Sequence, residues 1–226
     1  MKEADRLARN TQRLTEMFDP MAPVVRRVLD RLEDQKFRPR IQAAWRSKED
    51  QLLAFQRGTS GVKFGFHNVT AAGGAKESLA CDVLDDDHPL GPPTRYLLAL
   101  AIAARAEGLD TGIVWRLKSA LAAGVEAAIA DRDIDRPVKV GFDPTHIQPV
   151  GITIAQAKAG TRPTFKVGSK AGAGRGPKKF HVVARGETLS GIAKQFSLSL
   201  ARILELNPNK RANPNLIVPG EKIRVA

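Results

Sequence analysis

The sequence predicts an α+β fold for a first domain and a small βααβ fold for a second, and two observations support this. Short extended runs are interleaved with helical patterns over residues 1–154, and a strand–helix–helix–strand series begins at residue 179. Residues 155–178 lie between them and are rich in Gly, Ala and Lys, which is typical of a flexible linker. We therefore expect a domain with a small mixed sheet and flanking helices, a basic linker and a C-terminal module.

The elements of the first domain follow from periodicity and from residues that stop helices. An amphipathic pattern predicts a helix over residues 3–18, ended by Asp19-Pro20. A second helix over residues 24–32 is predicted because apolar residues recur at spacings of three and four, with Pro23 suited to its first turn. The later predicted elements are a strand at 41–45, a helix at 48–56 with Leu52, Leu53 and Phe55 inward, a strand at 62–67, a Gly-rich turn at 71–76, a strand at 79–84, a helix at 93–107, and extended runs at 138–142 and 146–154.

The C-terminal module, residues 179–226, is predicted to contain two strands and two helices. In chain order these lie at residues 180–184, 188–196, 200–206 and 222–225. Its predicted core consists of the large apolar residues of these segments: Val183, Leu189, Ile192, Ile203, Leu206, Ile217 and Ile223.

Charge is distributed unevenly along the chain. The net charge is +12, yet residues 1–154 hold 22 basic and 21 acidic residues, whereas residues 155–226 hold 14 basic and 3 acidic residues. Charge alone would allow the cationic third to bind nucleic acid or an anionic membrane. Its basic residues are dispersed, however, and few aromatic residues accompany them for base stacking. We therefore expect no specific nucleic-acid partner.

Composition also excludes several classes of protein. The one cysteine, Cys81, excludes an intramolecular disulfide and a structural zinc site built from cysteines. No apolar run approaches the roughly 20 residues that a membrane span needs. The first residues mix charges and lack an apolar segment, so we expect no secretory signal and a soluble protein made in the cytoplasm.

Two of the four histidines have carboxylates near them in the sequence, close to predicted strand ends. Asp82 follows His67, and Asp143 lies three residues before His146. Two neutral imidazoles and one carboxylate give Zn²⁺ three protein ligands and leave a fourth position open, which is typical of a catalytic site. A second carboxylate can then take a proton from the bound water. Judged by residue types alone, such a set also arises by chance.

Three runs around these residues resemble the VanY-like family of zinc D-Ala-D-Ala carboxypeptidases and L-alanyl-D-glutamate endopeptidases, which includes many phage endolysins. The runs are FHN at 66–68, SLACDV at 78–83 and FDPTHIQ at 142–148. The resemblance implies that the zinc ligands are His67, Asp82 and His146, and that Asp143 is the general base. The run AWRS at 44–47 occupies the place of the family's Gly-Tyr-Arg-Ser segment, so Arg46 is expected to stabilise the oxyanion.

The chain departs from the family's pattern at two points. Gly65 stands where the commoner form has a Ser, two residues before the first His. Fifteen positions separate His67 from Asp82, more than in the family, and the Gly-rich residues 69–77 are expected to loop out without moving either ligand. Of the three implied ligands, Asp82 is therefore the one whose spacing departs from the family's pattern.

Other candidate residues have simpler interpretations. Rival carboxylates at Asp85, Asp86 and Asp87 are interpreted as a solvated acidic turn. Cys81 is expected to be buried on the face of its strand opposite Asp82. The remaining candidates are interpreted as surface histidines or as core and pocket-wall residues: His88, His181, Trp45, Trp115 and Phe142.

The C-terminal module resembles the LysM domain throughout its length. The runs that carry the resemblance are HVVARGETLSGIAKQF at 181–196, ILELNP at 203–208 and NPNLIVPGEKIRV at 213–225. The resemblance implies a βααβ fold that binds the N-acetylglucosamine backbone of peptidoglycan or chitin. The implied groove lies between two loops, one with Gly186, Glu187, Thr188 and Leu189, the other with Asn213, Pro214, Asn215, Leu216 and Ile217. Asn207 is equally consistent with a groove residue and with a cap of the second helix.

Both resemblances imply action on peptidoglycan. The expected function is that of a modular peptidoglycan hydrolase of the endolysin type, a zinc endopeptidase that cuts the L-Ala–D-Glu bond of stem peptides and is targeted by a LysM domain. A D-Ala-D-Ala carboxypeptidase on the same scaffold is the alternative, and a non-catalytic wall- or polyanion-binding protein is an alternative of another class. We expect a monomer that reaches the wall after release from the host cytoplasm, helped by its cationic third.

Overall fold

The structure is a computed structural model that describes residues 1–165, 180–196, 203–204, 206–207, 210 and 216–225. The chain divides into two compact units, residues 1–167 and 168–226. The elements of the first unit are α1 (Glu3–Leu14), α2 (Ala22–Asp34), β1 (Pro39–Ala43), α3 (Lys48–Gln56), β2 (Cys81–Asp85), α4 (Thr94–Ala106), β3 (Leu109–Thr111), α5 (Ser119–Asp131), β4 (His146–Pro149) and α6 (Ile154–Lys158). Among the described residues, no helix is long and apolar enough to cross a membrane.

Four short strands of the first unit form one sheet in the order β1-β2-β4-β3. The predicted α+β class with a small sheet is confirmed, but the predicted mixed pairing is wrong because every neighbouring pair is antiparallel. β2 and β3 run in the same direction and are joined through α4, the kind of crossover that parallel strands need. β4 lies between them and runs against both, so no parallel pair forms.

Helix α4 lies at the centre of the first unit's core. Tyr96, Leu98 and Leu100 are fully buried, and the helix contacts α2, α5 and β3. The Tyr96 hydroxyl donates a hydrogen bond to the carbonyl oxygen of Val83 in β2 (3.2 Å). Because α4 is apolar on nearly all sides, it packs against several elements at once. The Tyr96 hydrogen bond links this central helix to β2.

Helix α3 has the predicted bounds but the opposite orientation. Leu52, Leu53 and Phe55 were expected to face inward, yet they are 43%, 46% and 36% exposed. Gln51 is buried instead, and its amide nitrogen donates to the Ser60 hydroxyl and the Val62 carbonyl oxygen, both at 2.7 Å. The prediction is wrong because this polar network, rather than an apolar stripe, orients the helix.

The predicted strands at 62–67 and 138–142 are absent from the structure. Residues 66–68 form a single 3-10 turn, and the loop before it is held by Gln51 rather than by strand partners. In the second segment, only Gly141 and Phe142 donate backbone hydrogen bonds to a neighbouring segment, at Ile113 and Trp115. Alternating apolar residues predicted strands here, but no neighbouring strand completes the pairing.

The acidic turn after β2 is mostly buried, contrary to the prediction of a solvated turn. Asp85 and Asp86 are 3% and 7% exposed, and only Asp87 is open to solvent. An Asp86 carboxylate oxygen lies 2.8 Å from Nε of Arg40, and Asp85 accepts a hydrogen bond from His88 (2.9 Å). Arg40 of β1 and Arg38 just before it explain the burial of Asp86, because a paired carboxylate loses less on leaving water.

The first part of the predicted linker, residues 155–165, packs within the first unit instead. Residues 154–158 form α6, and Ala157 is buried in a cluster of apolar side chains. Arg162 forms an ion pair with Glu77 and donates to the Thr70 carbonyl oxygen (2.8 Å), and Phe165 packs against the main core. Residues up to 165 therefore belong to the first unit, and 166–179 lie outside the described residues.

The second unit contains β5 (Phe180–Val182), α7 (Leu189–Gln195) and β6 (Lys222–Arg224), with β5 and β6 antiparallel. The predicted helix at 200–206 falls largely outside the described residues. Asn207 is buried and donates to the carbonyl oxygens of Ile203 (2.8 Å) and Arg224 (2.9 Å), so its role is structural. The buried core consists of Val183, Leu189, Ile192, Ala193, Ile203, Ile223 and Val225.

Candidate metal centre

Pairing of β2 with β4 brings two of the predicted zinc ligands together. Asp82 and His146 are direct partners across these antiparallel strands, so their side chains project from the same face. His67 reaches the same point from the 3-10 turn at residues 66–68. Cys81 is fully buried on the other face of β2, as the alternation of a strand requires.

The three side chains present donor atoms at nearly equal distances. Oδ1 of Asp82 lies 3.3 Å from Nε2 of His67 and 3.2 Å from Nδ1 of His146, and the two nitrogens are 3.2 Å apart. Tetrahedral zinc with bonds of about 2.0–2.1 Å places its ligand atoms about 3.3 Å from one another. Within the described ranges, this is the one group of three His, Cys, Asp or Glu side chains close enough to hold a metal ion, and its donor set suits zinc.

Hydrogen bonds on the far side of each imidazole fix which nitrogen faces the centre. Nδ1 of His67 lies 2.5 Å from the Ala44 carbonyl oxygen, which can only accept, so Nδ1 carries the proton and Nε2 offers its lone pair. Nε2 of His146 lies 3.3 Å from Oε1 of Gln148, which leaves Nδ1 free to ligate. Such outer partners orient metal-binding histidines and set their tautomers.

The charges of the centre support an ionised carboxylate. Burial alone would raise the pKa of Asp82, but the neighbouring imidazoles outweigh it and hold that pKa far below its usual range. Burial likewise opposes the charged form of His67, yet the Asp82 carboxylate raises the pKa of the imidazole. Asp82 therefore carries a negative charge beside the two imidazoles.

Asp143 lies in the wall of the same cleft, in a constrained loop. Its φ of 57° is unusual for a residue other than glycine, and its carbonyl oxygen accepts a hydrogen bond from the His146 backbone (3.2 Å). Burial raises the pKa of Asp143, and the nearby Asp82 carboxylate raises it further. A raised pKa favours proton transfer near neutral pH.

Two glycines let the Asp143 loop pack directly onto the segment after β3. A Cβ at Gly112 would lie 2.2 Å from the Asp143 carbonyl oxygen, and one at Gly141 would lie 2.4 Å from that of Trp115. Both distances are too short for any side chain, so only glycine permits this backbone contact. The contact fixes where Asp143 enters the cleft.

Arg46 also reaches this cleft. One guanidinium nitrogen lies 3.7 Å from Oδ2 of Asp82, and another donates to Oε1 of Gln51 (3.0 Å). Its backbone N–H donates to the His67 carbonyl oxygen (2.9 Å), which ties the arginine to the turn that carries His67. The guanidinium therefore stands beside the centre in a fixed position.

The centre opens into a cleft with a cavity volume of about 1010 Å³. Its walls include aromatic rings on the side of β4: the Trp115 ring lies 5.3 Å from that of His146, and Phe142 lines the cavity nearby. Both were expected to be core or pocket wall, and they line the pocket. The rival carboxylate Asp85 is bound to His88 instead of joining the centre.

Three polar residues near the centre were not identified from the sequence as functional. Gln51, Gln148 and Arg116 all line the cleft. Gln148 carried one usable signal, because it lies two residues after His146 and so on the same face of a strand. For Gln51 and Arg116, the sequence contains no periodic pattern that would indicate which way the side chain faces.

The predicted glycan-binding residues before and at the start of α7 are engaged within the second unit. Glu187 accepts hydrogen bonds from the Ala184 backbone (2.7 Å) and from half-buried His181 (2.6 Å), and Thr188 accepts one from the Gly191 backbone (3.1 Å). Leu189 is buried in the core of the second unit, whereas it was predicted to line the groove.

The remaining members of that set differ in exposure. Gly186 has a positive φ of 86° in the turn before α7, Leu216 is 64% exposed, and Ile217 packs partly on the core. Asn213, Pro214 and Asn215 lie outside the described residues.

Comparison with known protein families identifies a LysM domain in the second unit. Residues 181–226 match the family model of the LysM domain. A stretch of 45 residues is 51% identical to an endolysin of Bacillus phage B103, which covers 20% of this chain and 17% of the phage protein. The chain thus matches about a sixth of that relative's length. The predicted LysM domain is confirmed.

One solved structure is similar to part of this chain. The crystal structure of the Serratia marcescens L-Ala D-Glu endopeptidase ChiX superimposes with a TM-score of 0.40 at 17% identity, over 63% of this chain and 86% of that one.

Proposed function

We propose that this chain is a peptidoglycan hydrolase of the endolysin type, in which a zinc-dependent peptidase unit is targeted to the cell wall by a LysM domain. The main support for peptidase activity is the set of three donor atoms, 3.2–3.3 Å apart, in a cleft that Asp143 and Arg46 also line. The LysM match supports the wall as the place of action.

The residues of the cleft have complementary roles in peptide hydrolysis. His67, Asp82 and His146 would hold zinc, which would supply Lewis acidity for attack on the peptide carbonyl. Asp143 takes the proton of the attacking water, because burial and the Asp82 charge make its carboxylate a stronger base. Arg46 faces the negative charge that develops on the carbonyl oxygen of the substrate. Gln148 and the Ala44 carbonyl hold the imidazoles in the ligating tautomers.

The proposed substrate is the stem peptide, and the proposed bond is L-Ala–D-Glu. The resemblance to the VanY-like family supports this choice of bond, and the short match to a phage endolysin supports the cell wall as the place of action. A D-Ala-D-Ala carboxypeptidase would use the same catalytic groups on a different bond. We place the acting protein at the wall, after synthesis in the host cytoplasm, as a monomer.

The test is mass spectrometry of purified peptidoglycan digested by the zinc-loaded protein. New N-terminal D-Glu is expected, and activity should vanish with a chelator and return with zinc. Released D-Ala would replace the endopeptidase with the carboxypeptidase. Wall binding without any cleavage would leave a non-catalytic wall-binding protein.

A further inference from the structure

Arg116 lines the cleft of the proposed metal centre and has no part in the chemistry described above. Its guanidinium lies over the Phe142 ring, 3.9 Å from the ring centroid. Phe142 precedes the proposed base Asp143, and Arg116 follows Trp115, whose ring contacts His146. Arg116 is therefore anchored beside the catalytic groups rather than on a remote surface.

The surroundings of Arg116 hold its guanidinium in place. A Cβ at Gly61 would lie 3.2 Å from its Nη2, so the loop at residues 58–62 passes close beside it. The backbone of Arg116 adopts a positive φ of 59°, which is uncommon outside glycine. A stacked guanidinium keeps its N–H edge free to bind an anion while its face is occupied.

The charge of Arg116 is unpaired among the described residues, since no carboxylate of theirs lies within 4.0 Å of it. Most other arginines of the first unit have acidic partners; Arg105, for example, binds both Asp110 and Glu126. Arg46, the other arginine of the cleft, is already bound to Gln51 and close to Asp82. Of the two arginines that line the cleft, Arg116 is thus the one without an acidic neighbour or a role in the proposed hydrolysis.

We propose that Arg116 binds the free carboxylate of D-Glu in the stem peptide and so selects the acid over its amide. This proposal rests on the proposed function. D-Glu is a dicarboxylic acid, and one carboxyl continues the peptide while the other stays free unless it is amidated. That free group belongs to the residue directly after the scissile bond, so it lies close to the metal centre. A guanidinium binds a carboxylate through two parallel hydrogen bonds but has no acceptor for an amide N–H.

The experiment compares two soluble stem peptides that differ only in a carboxylate or a carboxamide on D-Glu. We expect wild-type protein with zinc to cleave the carboxylate peptide with a kcat/KM about tenfold higher, the size of one charge-assisted hydrogen bond. Arg116→Gln should bring the carboxylate peptide down to the rate of the carboxamide peptide. Arg116→Lys should retain part of the preference, because an ammonium keeps the charge without the planar fork.

Arg132→Gln is the matched control. Arg132 is also an arginine with a positive φ, 57°, but it lies at the end of α5 and outside the cleft. This variant should keep the wild-type preference. Equal rates on both peptides in wild type, or an equal loss on both peptides in Arg116→Gln, would overturn the assignment of Arg116 while leaving the peptidase intact.

Equilibrium binding separates failure of this inference from failure of the proposed function. Both peptides are titrated into Asp143→Asn protein and into the same protein with Arg116→Gln, so that neither peptide is consumed. Tighter binding of the carboxylate peptide that disappears with Arg116→Gln supports the carboxylate site, even if wild type cleaves neither peptide. Equal affinity for both peptides, or no binding of either, contradicts it.

Discussion

Asp143 combines a raised pKa with a positive φ beside the three proposed ligands, and its carboxylate can be tested separately from the metal. Asp143→Asn keeps the shape of the side chain but removes the base. We expect zinc content to stay at one ion per chain, while kcat falls by about 10²–10⁴-fold, the usual size of a general-base contribution. Metal analysis and stem-peptide kinetics on the same sample check this. Asp5→Asn, an exposed aspartate of α1, is the control. Loss of zinc from Asp143→Asn would instead make Asp143 a ligand.

Two glycines in the first unit predict opposite effects of the same substitution. Gly112→Ala forces a Cβ to within 2.2 Å of the Asp143 carbonyl oxygen, so the backbone must move. We expect a loss of about 3 kcal/mol in unfolding free energy, together with reduced activity because Asp143 moves. Gly124→Ala lies inside α5 with no atom within 4 Å of its Cβ, and it should gain about 0.5–1 kcal/mol. Urea unfolding of both variants checks the pair, and a neutral Gly112→Ala would show that the loop can relax.

At the scale of elements, Glu107 joins α4 to α2. Its carboxylate lies 2.6 Å from Arg27 and 2.8 Å from Arg31. Burial alone would raise the pKa of Glu107, but hydrogen bonds from the two arginines outweigh it and lower that pKa. The stability it supplies is thus present above the unfolded-state pKa, about 4.3, and is lost as pH falls through the lower folded-state value.

The prediction for this helix contact is a pH-dependent difference between wild type and Glu107→Gln. At pH 7 we expect the variant to be about 1 kcal/mol less stable, because the pair is partly exposed. The difference should shrink as pH falls below the unfolded-state pKa of about 4.3, because the carboxyl of the unfolded chain then takes up a proton before that of the folded protein. Urea unfolding at pH 7 and pH 3.5 measures it. A difference that stays constant between these two pH values would mean that the charge of Glu107 contributes nothing.

Sequence patterns predicted the elements whose burial leaves a periodic signal and missed those without one. α2 and α4 were predicted because their large apolar residues recur at helical spacing or fill the whole helix. α5 is rich in alanine and buries only Val125, Ala128 and Ile129, so it shows no apolar stripe. β3 has three residues, too few for alternation to be visible.

The candidate site likewise could be predicted only in part from the sequence. His67, Asp82 and His146 were singled out from residue types and from a family resemblance, and the structure brings their donor atoms together. The contact of Gly112 with the Asp143 loop could not be predicted, because it depends on two backbones meeting in space. Gln51 escaped notice for a related reason, since its burial follows from hydrogen bonds to a loop rather than from a pattern in α3.

At the scale of the whole molecule, the extent of the first unit determines where the chain should be cut to separate the two units. A chain ending at residue 154 lacks α6, the Arg162–Glu77 ion pair and Phe165, whereas a chain ending at residue 165 keeps them. We expect the longer form to cleave a soluble stem peptide like the full chain but to sediment poorly with purified cell walls. The shorter form should unfold at lower urea concentration.

Salt provides the control for wall binding. Residues 155–226 hold 14 basic and 3 acidic residues, so binding of the full chain to anionic walls should weaken as salt rises, while cleavage of the soluble peptide changes little. Equal sedimentation of the full chain and the form ending at residue 165 would contradict a wall-binding role for the second unit.

The pairing of β2 with β4 is short, only Cys81 with Ile147 and Asp82 with His146, and one of these two pairs carries metal ligands. An ion bound there would act as a cross-link between three separate stretches of chain, closing loops of 15 and 64 residues. Cross-links of this kind stabilise a fold by lowering the entropy of the unfolded chain. Zinc should therefore raise the Tm of the first unit in a concentration-dependent way. His146→Ala should abolish this rise in Tm. A wild-type Tm that does not change with zinc concentration would argue against the metal site.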